Sequence, residues 1–90
     1  MSLDKVSVIT VCFRAEDVIE RTILSVVGQD YPSIEYIVVD GGSKDGTVDK
    51  VKKYARNISR WISEPDEGVY DAMNKGIEMA TGDWIIFLNA

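Results

Sequence analysis

Apolar residues along this chain recur with two alternating periods. Val6-Ser7-Val8-Ile9-Thr10-Val11 is rich in β-branched residues and shows little polar alternation, as a strand covered on both faces requires. Between Glu16 and Val27 the spacing changes. Ile19, Thr22, Ile23 and Val26 fall at i, i+3, i+4 and i+7, which predicts a helix over that stretch. Gly28 is expected in the left-handed conformation that often ends a helix, with Tyr31-Pro32-Ser33 as the loop. Tyr36 to Val39 reads as a second strand, closed by Asp40-Gly41-Gly42-Ser43-Lys44-Asp45-Gly46. Thr47 to Ala55 reads as a second helix, with Thr47 as its N-cap and Val48, Val51 and Ala55 inward. Ile58 to Ser63 predicts a short third strand. A third helix begins near Gly68 with Val69, Ala72, Met73, Gly76, Ile77 and Ala80 as its buried stripe. Thr81-Gly82-Asp83 ends it, and Trp84-Ile85-Ile86-Phe87-Leu88 is the fourth strand, delivering Asn89-Ala90 at its carboxyl end.

The order is β-α-β-α-β-α-β with short connections. It predicts an α/β fold: a mostly parallel sheet built by right-handed crossovers, with helices on both faces in three Rossmann-like layers. In such sheets ligands gather at the carboxyl ends of the strands, so chemistry is expected where the chain reaches Asn89-Ala90. No internal repeat, low-complexity run or linker divides the sequence.

Composition narrows the function. Ninety residues with 46% hydrophobic content suit one small domain or one piece of a domain. A net charge of −5 with no basic stripe argues against a nucleic-acid partner. It also means that an anionic ligand needs local Lys, Arg, backbone N–H groups or a divalent ion. The absence of His together with a single cysteine, Cys12, excludes a zinc site and a His-based triad. That lone cysteine forms no internal disulfide, which points to a reducing compartment. No apolar run approaches membrane-spanning length. The sequon Asn57-Ile58-Ser59 has no secretory context to give it meaning. Residues 1–5 read as a vector-derived or disordered start, leaving 6–90 as the domain segment.

Three segments could carry chemistry. In the loop Asp40 to Gly46, the glycines let backbone N–H groups approach a ligand, and Asp40 at a strand tip is placed to accept from a ribose hydroxyl or base N–H. The same composition equally suits a tight strand-to-helix turn in which Asp40 caps free N–H groups. After the first strand, Cys12-Phe13-Arg14-Ala15 matches neither G-x-G-x-x-G nor a P-loop. It offers an aromatic ring that either stacks on a base or plugs the core edge. On the third helix, Tyr70, Asp71, Asn74, Lys75 and Glu78 form a polar face. Asp71 lies near the helix's anion-favouring end, and Asp71–Lys75 is an i, i+4 pair.

In their order and spacing, these segments resemble the amino-terminal, nucleotide-binding half of a GT-A glycosyltransferase of family 2. These bacterial inverting enzymes build capsule, exopolysaccharide and lipopolysaccharide chains. The resemblance is carried by Val6-Ser7-Val8-Ile9-Thr10 with Phe13, by Ser25 to Pro32, by Ile37 to Thr47, by Ser63 to Ile77 and by Ala80 to Ala90. It implies that Phe13 stacks on the donor nucleobase, that the backbone at Val11 edges the base, and that Asp40 contacts the nucleoside. Gly42, Asp71 and Lys75 complete the donor set, with Arg14 or a metal as other diphosphate contacts. Two positions depart from the family pattern: Gly41 stands where a second acid often reaches uracil, and Met73 where an arginine often precedes the helix asparagine.

The resemblance also implies a divalent cofactor, Mn or Mg, held by a D-x-D motif opening at Asn89, with the general base further on. No catalytic residue or complete metal site is therefore expected in this chain, which reads as the donor half of a longer enzyme and is itself expected to be inactive. The implied partners are a UDP-, GDP- or dTDP-linked sugar and a saccharide or lipid-linked saccharide acceptor. Self-association through an uncovered face is a further expectation. The implied location is cytoplasmic, with peripheral attachment to the inner membrane open for the longer protein. A non-catalytic nucleotide-binding module is the competing function. A phosphoacceptor receiver domain, the third possibility, shares the doubly wound rhythm but needs paired acids after the first strand, which Cys12-Phe13-Arg14 does not supply.

Overall fold

The computed structural model describes residues 3–90. In chain order the elements are β1 (Val6–Cys12), α1 (Ile19–Val27), β2 (Ile34–Asp40), α2 (Thr47–Lys53), a 3₁₀ turn (Ala55–Asn57), β3 (Arg60–Ser63), α3 (Val69–Met79) and β4 (Trp84–Phe87). All strands run parallel in the order β3-β2-β1-β4. This is the expected α/β sheet, and each run of β-branched residues forms a strand. Met1 and Ser2 of the expected 1–5 start lie outside the described residues. Further along that start, Lys5 N donates to Asp83 Oδ2 at 2.8 Å, and Trp84 Nε1 donates to Asp4 Oδ2 at 3.0 Å.

Alternation along the strands divides the core into two layers. One layer gathers Val8, Cys12, Tyr36 and Val38 under Ile19, Ile23 and Val26 of α1 and Val51 of α2. The other gathers Ile9, Val11, Ile37 and Val39 against Ala72 of α3. Right-handed crossovers explain the division. The chain steps outward from β1 to β2 to β3, laying α1 and α2 on one face. It then returns across the sheet to β4, which puts α3 on the other. The strand order reverses at β1, and the crevice of an open α/β sheet forms at such a switch point.

Glycine makes the return crossing close. A Cβ at Gly76 would lie 2.5 Å from Ile9 Cγ2, so α3 sits nearer β1 than any larger residue allows. This corrects the expected stripe. Ala72 and Gly76 are buried, whereas Val69 and Ile77 are exposed, because the small residues make the contact and the larger ones flank it.

Other boundaries differ for local reasons. Helix α1 starts at Ile19 rather than Glu16, because residues 13–18 form a turn in which Ala15 N donates to Thr47 Oγ1 at 2.9 Å. Gly28 is not left-handed (φ −80°); instead Gln29 N bonds Val26 O and tightens the last turn. Thr47 is the first helical residue rather than the cap, and its hydroxyl donates to Asp45 Oδ1 at 2.6 Å. β3 starts at Arg60, after the 3₁₀ turn takes Ala55 to Asn57.

The amino-terminal edge of the sheet is held by a buried carboxylate. Glu35 accepts from Ser7 Oγ (2.8 Å), Thr81 N (2.8 Å) and Thr81 Oγ1 (2.9 Å), with Lys5 Nζ at 3.5 Å. Burial pushes its pKa up, but these donors and the Lys5 charge outweigh that and hold it at about 2. The cluster joins β1, β2 and the α3–β4 turn. Among the described residues no helix is long and apolar enough to cross a membrane.

Candidate functional site

At the opposite edge, where β1 and β4 end side by side, lies a cavity of about 290 Å³. Val11, Cys12 and Phe13 form one wall, Asn89 and Ala90 a second, and Asp66, Gly68, Val69 and Ala72 a third. The second wall exists because the chain continues past β4 along β1, with Leu88 N bonded to Ile9 O and Ala90 N to Val11 O. The third is the start of α3. Gly68 holds φ 117°, a conformation open to glycine, and this turns the chain sharply into the helix. The N–H groups of the first turn, at residues 69–71, face no helical carbonyl and carry the positive end of the helix dipole.

Phe13 is an aromatic ring at the cavity mouth with 53% of its surface open, although Cys12 and Ala15 beside it are buried. Its backbone setting is fixed from the next loop. Arg14 adopts φ 50°, a left-handed conformation uncommon for a residue with a side chain, and Arg14 N donates to Ser43 Oγ at 2.8 Å. The Arg14 guanidinium stands 5.0 Å from the centre of the Phe13 ring, within cation–π range.

Asp40 anchors that arrangement. Its side chain accepts from Gly42 N (3.1 Å), Ser43 N (2.8 Å), Ser43 Oγ (2.7 Å) and Ser63 Oγ (2.8 Å), with the Cys12 thiol at 3.5 Å. Only 1% of the residue is exposed. Burial and the Asp40 charge push the Cys12 thiol up, so it stays protonated and able to donate. Gly42 adopts φ 87°, and a Cβ there would lie 3.1 Å from Pro65 N.

Of the sequence-predicted residues, Val11 and Phe13 line the cavity, and Asn89 edges it. Asp40, Gly42, Asp71 and Lys75 do not. The turn-forming alternative for Asp40 is the arrangement seen. Lys75 Nζ is bound by Pro65 O (3.0 Å), Glu64 Oε1 (3.1 Å) and Asp71 Oδ2 (3.8 Å), while Asp71 Oδ2 accepts from Glu67 N at 3.0 Å. These residues brace the β3–α3 loop behind the cavity. The sequence reading overlooked Asp66, for which the only local signal is Asp-x-Gly just before a helix.

The chain matches the model of glycosyl transferase family 2 over residues 7–90. It belongs to that family. An uncharacterized glycosyltransferase of Mycobacterium tuberculosis is 47% identical over 90 residues, covering 99% of this chain and 34% of that protein. A mannosyltransferase of Pyrobaculum calidifontis, solved with GDP-Man and Mn2+, superposes with TM-score 0.89 at 27% identity, over 98% of this chain and 28% of its own. TarS of S. aureus, solved with UDP-GlcNAc, superposes at 0.84 with 28% identity, over 94% and 26%. The family 2 segment described here thus spans about a third of its curated relatives' length. Its three-layer sheet is that of the GT-A glycosyltransferases.

The Mn2+ of that mannosyltransferase complex raises the question of a metal here. Among the described residues no group of three His, Cys, Asp or Glu side chains comes together as ligands. Asn89 and Asp66 line the cavity without forming such a set, so these residues alone do not fit a metal.

Proposed function

We propose that the cavity between β1, β4 and α3 holds the nucleoside diphosphate of a sugar donor, and that the longer protein transfers the sugar to an acceptor hydroxyl with inversion. The observation that carries the reading is Phe13: an open aromatic ring at the switch point of a parallel sheet, a platform on which a base stacks. Val11 edges the base. The diphosphate lies toward the first turn of α3, where backbone N–H groups and the helix dipole favour an anion despite the net charge of −5. Arg14, beside the Phe13 ring, is a cation at the cavity mouth. Asp40, Gly42, Asp71 and Lys75 act one step back, holding the loops that shape the walls.

Two complexes support the choice of ligand, since the mannosyltransferase carries GDP-Man and TarS carries UDP-GlcNAc. In the reaction the acceptor oxygen attacks the anomeric carbon in line as the glycosyl–phosphate bond breaks, and a general base takes the hydroxyl proton. The present residues contribute the grip on the leaving nucleotide. The proposed acceptor is a saccharide or lipid-linked saccharide of a surface polysaccharide, handled in the cytoplasm by a protein peripheral to the inner membrane. The open apolar side of β4 is proposed as a surface through which the 90-residue chain associates with itself.

Calorimetric titration of UDP, GDP and dTDP, with and without Mn²⁺, tests the reading. The expected result is saturable binding that weakens in Phe13→Ala, with sugar transfer by the full-length protein and none by the 90-residue chain. Binding indifferent to Phe13 would overturn the site. Transfer by the short chain would overturn its assignment as donor grip alone.

A further inference from the structure

Gly41 is a glycine that its backbone does not require. Among the described residues, positive φ occurs at Arg14, Gly42 and Gly68, and not at Gly41. What a side chain would meet is two other side chains: a Cβ at Gly41 would lie 2.8 Å from Asp66 Oδ2 and 3.2 Å from Cδ1 of Phe13, so Asp66 would have to give way. The space that a side chain at 41 would occupy is thus filled by the carboxylate of Asp66, set beside the ring. Asp66 is oriented there by its other oxygen, which accepts from Gly68 N at 3.0 Å. Among the described residues no protein group donates to Oδ2, and Asp66 is one of the cavity's lining residues. A fixed acceptor beside a stacking platform is a device for reading the edge of whatever stacks there.

We propose that Asp66 is the base-selecting residue of this cavity, its Oδ2 accepting from the ring N–H of a base stacked on Phe13. The inference rests on the nucleotide reading above and adds the class of base. Uracil and thymine carry a ring N–H at N3, and guanine carries one at N1. Cytosine N3 and adenine N1 present a lone pair instead, which a carboxylate oxygen repels. A polar group left without its partner at a desolvated site costs more than a correct pairing gains, and that asymmetry produces selection. The site therefore favours uridine, thymidine or guanosine diphosphates over those of cytidine and adenosine, whose amino N–H groups lie beside that ring position rather than at it. Asp66→Asn would keep the shape and the bond to Gly68 N, yet turn toward the base an amide donor that opposes a ring N–H and suits the lone pair of cytosine or adenine.

The test is calorimetry with UDP, GDP, CDP and ADP on the full-length protein, its Asp66→Asn variant, Asp66→Ala, and Asp66→Ala combined with Gly41→Asp, each checked by thermal melting. Wild type is expected to bind UDP or GDP at least about tenfold tighter than CDP and ADP. In Asp66→Ala the preference collapses to within about twofold, and in Asp66→Asn it is lost or turned toward CDP and ADP. Adding Gly41→Asp restores it, because an acid then reaches the same place from the facing loop. A folded Asp66→Asn or Asp66→Ala protein that keeps the wild-type preference would overturn the assignment, as would a wild type without preference. Failure of the nucleotide reading looks different: no nucleotide binds, or Phe13→Ala leaves every affinity unchanged.

Discussion

Phe13 keeps half its surface in solvent while Cys12 and Ala15 beside it are buried, an arrangement that costs apolar exposure and gains a stacking face. Removing that face should be visible in binding and silent in stability. Phe13→Ala is expected to weaken nucleoside diphosphate binding about tenfold or more, the scale of one base–aromatic stack, with an unchanged melting temperature. Asp40 is the reverse case. It is 1% exposed and its acceptor capacity is spent on the Gly42–Ser43 turn and Ser63. Asp40→Ala should destabilise the fold by about 1–3 kcal/mol for each buried N–H it orphans, measured by urea unfolding. The lost Ser43 contact then frees Arg14, so nucleotide affinity falls as a secondary effect. These two residues show how far the site was legible. An exposed aromatic after a strand is visible in sequence. Whether an acid faces ligand or its own loop is not, because Ser63 lies 23 residues away from Asp40.

At the scale of elements, α3 depends on its close approach to β1. Gly76→Ala places a methyl 2.5 Å from Ile9 Cγ2, and forcing it into a packed layer should cost about 1–3 kcal/mol in chemical denaturation. The opposite sheet edge depends on Glu35. Its pKa is lowered from 4.5 to about 2 on folding, so its contribution is full above about pH 4.5 and is lost as pH falls toward 2. The loss is on the order of 3 kcal/mol. Glu35→Gln should lower stability at neutral pH and flatten that acid limb, as followed by urea unfolding across pH 2–6. The order of the strands and α-helices was readable, and in β1 and β2 burial on both faces leaves unbroken β-branched runs; the 3₁₀ turn of Ala55–Asn57 was not. Helix ends were not. Thr47 has the composition of a cap, yet its hydroxyl serves Ala15 N, a partner that spacing cannot reveal. In α3, Val69 and Ile77 fit the apolar period but flank a contact made by Ala72 and Gly76.

For the whole molecule, helices cover both faces of the sheet, while β4 stands as an open edge strand. Trp84, Ile86 and Leu88 of the edge strand and its continuation share an apolar face, with Ile86 53% exposed, although Ser25 and Val26 at the end of α1 border the groove beside Ile86 and Leu88. An apolar edge strand with unpaired backbone groups is a template for association. The 90-residue chain should self-associate with rising concentration in sedimentation velocity, and Ile86→Lys should suppress it. The proposed nucleoside diphosphate site is the switch-point cavity at the other end of the sheet. Amide shift mapping of the ¹⁵N-labelled protein during titration with UDP and GDP tests it most directly. Saturable shifts are expected at Val11, Phe13, Gly68, Val69 and Asn89, with quiet signals at Ser7, Glu35 and Thr81. Shifts centred on that second group, or none at saturating nucleotide, would contradict it.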